Sequence, residues 1–224
     1  MKKILSSLLI FLVTMLSAGT SYAGNNVIYE YDANGNLIRK SAVNVAESGY
    51  IPTEKKTFTG KEKVAINAKG VSSANNAKTT VQFWMKWNGN QIEMPFSWAN
   101  SMYDLYFNDR LFGFNTGNGD LYGTSSDSVV NKWVHVSAIF TNGDTYKNEL
   151  YINGVRQTLV KIGTASNRNV ADSAYFSGWN NDTQYQFHGN IAELKVWNRA
   201  LNPIEIESEM YKTPAIGSNL IYVY

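Results

Sequence analysis

The chain has 224 residues, with 20 lysines and arginines against 18 acids, and no cysteine. Charge this evenly balanced excludes purely electrostatic capture of nucleic acid or anionic membrane. The missing thiol excludes cysteine catalysis and thiolate metal centres, and His135 and His188 alone are too few for a histidine-built metal site.

In chain order, Lys2 and Lys3 precede an apolar run from Ile4 to Leu16. That run is shorter than the about 20 residues a membrane span needs. Ser21 and Ala23 place small residues at the −3 and −1 positions before Gly24. Residues 1–23 therefore read as a secretory signal peptide, which predicts a secreted or extracellular protein, free or associated with the cell surface. Its removal takes away two lysines and no acid, so the remaining charges cancel. About 200 residues are left, enough for one domain with a substantial core and no disulfides.

Asn25 to Arg39, NNVIYEYDANGNLIR, places two apolar-aromatic runs around Asp32–Gly35 and predicts a β-hairpin over 24–40. Residues 41–56 are polar, contain Pro52 and read as a linker. From residue 57 the pattern becomes that of short strands. Thr79 to Trp87 alternates strictly, with Val81, Phe83, Met85 and Trp87 on one face and Gln82, Trp84 and Lys86 on the other. Met94–Trp98, Tyr103–Phe107, Phe112–Phe114 and Leu121-Tyr122 follow. Trp133 to Phe140 repeats the alternation: Val134, Val136, Ala138 and Phe140 face the core, and His135 is expected to face outward. Asn153-Gly154 predicts a type I′ turn after Glu149–Ile152. Gln157–Lys161, Ala174–Ser177 and Gly189–Trp197 supply the later strands. One helix is expected near the C-terminus, where Asn202, Pro203 and Glu205 form a capping box with proline at the first helical position. Short strands punctuated by Asn-Gly corners predict an all-β, antiparallel β-sandwich over 57–212, and a tail over 213–224.

Several segments resemble a known family in their order. Thr80–Met85, Lys132-Trp133-Val134-His135-Val136, Leu150–Val155 and Gly189–Leu201 resemble the strands of the laminin-G-like, concanavalin A-like jellyroll domains of bacterial secreted proteins. The resemblance implies two face-to-face sheets and a binding module more often than an enzyme, with glycans or other proteins as partners. Some members hold calcium. Here Ala192 stands where the family's closing strand has an aspartate, and Glu193 with the Thr59-Gly60 corner are the residues left to ligate an ion. Separately, Tyr29 to Leu37 resembles one YD repeat, the unit of RHS shell proteins. Asn219–Tyr224 echoes Asn26–Tyr31, so the chain is read either as one with two unrelated β-rich ends or as a piece of a longer repeat protein, its tail starting a second YD repeat.

Two stretches mix aromatic platforms with amides and carboxylates, the combination that sugar rings and hydroxyls require. Trp98, Tyr103 and Asp104 form one candidate; Trp179, Asn180, Asn181 and Asp182 form the other. Catalysis lacks a basis: Glu193 has Lys195, not an acid, two positions on, and the glutamates Glu205, Glu207 and Glu209 lie on the expected helix. The expected function is a non-catalytic, lectin-like carbohydrate-binding module. A structural or adhesion module of a larger RHS-type cell-surface protein is the alternative, and a glycanase ranks last.

Overall fold

The computed structural model describes residues 27–31, 37–42, 50–90, 92–99, 102–108, 110–179, 184–212 and 219–223. The chain divides into two compact units, residues 1–48 and 49–224. In the first unit, β1 (Val27–Tyr31) pairs antiparallel with β2 (Leu37–Ala42), the hairpin that the runs around Asp32–Gly35 predict.

The second unit begins with β3 (Lys56–Thr59), β4 (Val64–Asn67), β5 (Lys78–Trp87), β6 (Glu93–Trp98), β7 (Tyr103–Asn108), β8 (Leu111–Asn115) and β9 (Leu121–Ser125). It continues with β10 (Trp133–Thr141), β11 (Glu149–Ile152), β12 (Val155–Arg156), β13 (Val160–Ile162), β14 (Ser173–Phe176), β15 (His188–Trp197), the helix α1 (Pro203–Glu209) and β16 (Leu220–Val223). The first sheet runs β12-β11-β10-β5-β15-β16, with β3 also on β15, and the second runs β13-β9-β8-β7-β6-β14-β4. All these pairings are antiparallel and the two sheets form a sandwich.

The core lies between the sheets because each inner strand alternates. Val81, Phe83, Met85 and Trp87 of β5 and Val134, Val136, Ala138 and Phe140 of β10 meet Phe96, Leu105, Phe107, Phe112, Phe114 and Phe176 of the second sheet. The Phe140 ring lies 4.9 Å from Tyr103 and 5.1 Å from Phe114, both edge-on. Edge-to-face pairs add to the about 2 kcal/mol that burial of each such side chain contributes. Glu93 ties the sheets together: buried at the start of β6, it accepts from Trp87 Nε1 at 2.9 Å and from the backbone N–H of His188 at 3.1 Å, and pairs with His188 Nδ1 at 2.5 Å.

The outer face of the first sheet departs from the expected solvent exposure. Gln82, Trp84, His135, Ser137 and Lys195 are all buried there, because α1 and the aromatic rings of Tyr50 and Tyr211 cover them. His135 is therefore not an exposed strand residue. Burial, with the Lys195 charge nearby, holds its imidazole down to about 3. The Lys195 ammonium donates to the carbonyls of Glu209 and Lys212, satisfying groups that the helix end leaves open. The predicted capping box is present, with Glu205 N–H donating to Asn202 Oδ1 and Asn202 N–H to Glu205 Oε2, both at 2.9 Å.

The boundaries also fall differently from the sequence pattern. Ser41 and Ala42 belong to β2, Tyr50 stacks on Trp84, and β16 adds a strand to β15. Leu220–Val223 thus contributes a strand to the first sheet. The Asn153-Gly154 turn has φ of 51° and 78°, as a type I′ turn requires.

Candidate functional site

Alternation along β7 sends Tyr103, Leu105 and Phe107 into the core and leaves Asp104, Tyr106 and Asn108 on the outer face of the second sheet. The ladder places Asn115 of β8 directly beside Asp104. In the next row Tyr106 pairs with Gly113, and Gly113 with Gly123. A Cβ on Gly113 would lie 2.3 Å from Gly123 Cα, and in this row β8 and β9 carry no side chain beside Tyr106.

Two loops wall the resulting pocket, whose volume is about 320 Å³. One runs from Asn115 to Asp120. The Asp120 carboxylate draws it tight by accepting from Thr116 N–H at 3.1 Å, Thr116 Oγ1 at 2.8 Å and Asn118 N–H at 3.1 Å. Arg168 holds the same loop from behind, donating from Nε and Nη2 to the Thr116 carbonyl at 3.1 and 2.9 Å. Gly119, at φ +68°, supplies the left-handed turn the loop needs. The other wall carries Trp179 and Tyr185. It is fastened to β6, since Gly178 N–H donates to the Met94 carbonyl at 2.9 Å, Met94 N–H to the Tyr185 carbonyl at 2.8 Å, and Ser97 Oγ to the Gly178 carbonyl at 2.6 Å. The Tyr106 and Tyr185 rings meet edge-on at 5.9 Å. Met94 and Met102 complete the apolar part of the lining.

Two polar atoms in this lining have no hydrogen-bond partner among the described residues. They are Asp104 Oδ1 and Trp179 Nε1, both buried at the atom. Asp104 is 1% exposed, and its other oxygen accepts from Asn115 Nδ2 at 3.3 Å. Burial pushes its carboxyl well above the usual range; Asp120 adds to the rise, while the Asn115 bond and the Arg168 charge oppose it. Buried polar groups are ordinarily satisfied, so two orphaned atoms lining one pocket are positions where a ligand can complete the bonding.

The sequence candidates divide between this pocket and the core. Asp104 and Trp179, expected in separate stretches, line the same pocket. Trp98 and Tyr103 are not surface anchors. Both are fully buried between the sheets, Trp98 edge-on to Phe96 at 5.1 Å, and Tyr103 with its hydroxyl 2.7 Å from Asn148 Oδ1. The physical reason is the strand period: Tyr103 and Asp104 are neighbours in β7 and must point to opposite faces. Asn180, Asn181 and Asp182 lie outside the described residues. The pocket residues that the sequence candidates did not include are Tyr106, Asn108, Asn115, Asp120, Tyr185 and the two methionines; strand alternation alone pairs Tyr106 and Asn108 with Asp104.

The expected calcium ligands do not converge. Thr59 pairs with His188 in the β3–β15 ladder, and Glu193 lies five residues further along β15, about 16 Å at strand rise. Thr59 donates its N–H and its hydroxyl to the Glu62 carboxylate, a Cβ on Gly60 would meet the His188 ring, and Glu193 accepts from the Tyr50 hydroxyl at 2.6 Å. These residues do not fit one ion. Among the described residues no group of three or more histidine, aspartate or glutamate side chains is placed to hold a metal.

The second unit is thus a two-sheet antiparallel β-sandwich with an aromatic, carboxylate-floored pocket on one outer face. A family profile described as the concanavalin A-like lectin/glucanases superfamily matches residues 58–207, and the chain belongs to that family. Among curated proteins none matches. Among solved structures, a "putative carbohydrate binding protein" from Bacteroides ovatus is similar at 16% identity and TM-score 0.56, covering 75% of this chain and 50% of its own. The LG4-5 domains of the mouse laminin alpha1 chain are similar at 15% identity and TM-score 0.47, covering 70% of this chain and 45% of that one. A SAP-like pentraxin from Limulus polyphemus is similar at 15% identity and TM-score 0.44, covering 68% and 79%. Likeness at these identities shows the fold alone, and the chain spans about half the length of the Bacteroides protein. Among the described residues no helix is long and apolar enough to cross a membrane.

Proposed function

We propose that this chain is a non-catalytic carbohydrate-binding module whose site is the pocket between Trp179 and Asp104. The observation that carries the reading is the pair of unsatisfied polar atoms, Trp179 Nε1 and Asp104 Oδ1, in one pocket that also presents aromatic rings. Sugar rings pack their C–H faces on aromatic side chains and offer hydroxyls to such atoms. The family of the chain supports the same class of ligand. Catalysis has little to work with: the Asp120 carboxylate is committed to its own loop, so Asp104 has no free carboxylate partner in the pocket. With the signal-peptide reading of residues 1–23, the module acts outside the cytoplasm, on a glycan or cell-surface polysaccharide.

A glycan array and polysaccharide pull-down, each with calcium and then with chelator, test the reading. Saturable binding that disappears in folded Trp179→Ala supports it. Binding that survives this substitution, or no binding by the folded protein, moves the structural or adhesion reading ahead. That second reading draws on the resemblance of Tyr29 to Leu37 to one YD repeat.

A further inference from the structure

We propose that this pocket selects glycans bearing unsubstituted, protonated amino groups, with an ammonium seated against Asp104 Oδ1 and beside the aromatic rings. The inference rests on the glycan-binding reading and names the chemical class of its ligand. Two separate properties of the pocket favour a cation. The first is a buried carboxyl with one oxygen bonded weakly to Asn115 and the other without a partner among the described residues. The second is the set of rings from Tyr106, Trp179 and Tyr185, whose π faces attract cations.

Among the described residues no lysine, arginine or histidine hydrogen-bonds that carboxyl, although the Arg168 charge reaches it. Arg168 spends its guanidinium on the Thr116 carbonyl, and Arg110 pairs with Asp127 at 2.8 Å. Among the described lining residues Asp104 and Asp120 are acidic, and none is a lysine, arginine or histidine. A uronic or sialic acid would bring a carboxylate into this field and be repelled. A neutral sugar would leave the carboxyl protonated and bring no charge to favour its ionised form. An ammonium provides both the hydrogen-bond donor and the charge.

Binding is coupled to a proton. In the empty pocket, burial and the Asp120 charge favour the protonated carboxyl, with Arg168 opposing. As the ammonium enters, Asp104 releases its proton to solvent and the carboxylate takes the cation. Affinity therefore falls with decreasing pH through the titration of Asp104.

The test is calorimetric titration of the full chain at about pH 6, in two buffers of different ionisation enthalpy. The probes are a glucosamine trisaccharide, its fully N-acetylated form and a galacturonate trisaccharide. The expected result is about tenfold tighter binding of the amine form than of the acetylated form, with no measurable uronate binding. The heat with the amine form should differ between the buffers. Asp104→Asn should erase the amine preference, the amine form then binding no more tightly than the acetylated form. Should that variant not fold, displacement of the amine trisaccharide by ethylammonium on the unaltered chain gives the same information. Equal binding of amine and acetylated forms, an amine preference that persists in Asp104→Asn, or no displacement overturns the inference and leaves the glycan reading standing. No binding of any of the three overturns the amine inference, and no binding on the glycan array overturns the glycan reading as well.

Discussion

Glu93→Ala should unfold this sandwich more readily than most single substitutions. The carboxylate is 2% exposed and joins the two sheets through three contacts: Trp87 Nε1 at 2.9 Å, His188 N–H at 3.1 Å and His188 Nδ1 at 2.5 Å. Two N–H bonds at about 1 kcal/mol each and a charge-assisted bond at about 2 kcal/mol give a loss of about 4 kcal/mol. Glu93→Gln keeps an acceptor for Trp87 and should lose only about 1–2 kcal/mol. Urea unfolding followed by tryptophan fluorescence measures both variants, with an unchanged slope confirming that only stability moved. A loss under about 1 kcal/mol for Glu93→Ala would refute the claim that this carboxylate links the sheets.

Trp98→Ala should lose about 3–5 kcal/mol of stability in the same assay, because its ring is fully buried. Trp179→Ala, in the pocket wall, should lose about 1 kcal/mol or less and instead abolish glycan binding; comparable destabilisation by the two would show that Trp179 is a core residue. His135 is held down to about 3 when folded and titrates near 6.5 when unfolded, so the unfolded state takes up the proton first. The stability of the chain should therefore decline from about pH 6.5 toward about pH 3, and His135→Gln should flatten that decline; identical pH profiles would show that other groups set it. Lys195→Met should leave the Glu209 and Lys212 carbonyls without their ammonium and speed amide exchange in the last turn of α1; unchanged exchange would show that the helix end does not depend on it.

Strand alternation made the inner face of the sandwich legible, and the Asn202–Glu205 capping box made the helix legible, because both signals are local. The same alternation could have separated Trp98 and Tyr103 from Asp104, since a strand cannot point neighbouring side chains to one side. Other features were not readable in this way. Gln82, His135 and Lys195 are polar residues that look solvent-facing until α1, about 120 residues further along the chain from Gln82, packs over them. The role of Glu93 is not local either, because its partners, Trp87 and His188, come together only through the pairing of β5 with β15. The pocket joins β7, the 115–120 loop and the segment after β14, three pieces placed together by sheet order and not by spacing.

The most direct measurement is an amide and indole correlation spectrum of the isotopically labelled protein, titrated with the glycan that binds it most tightly. The account predicts saturable shifts at the Trp179 indole N–H and at the backbone of Asp104, Asn115 and Tyr106, with Trp98 unmoved. Shifts gathered elsewhere, for example at Glu149 and Arg156 to Leu159 on the far edge of the sandwich, with Trp179 and Asp104 unchanged, would contradict it.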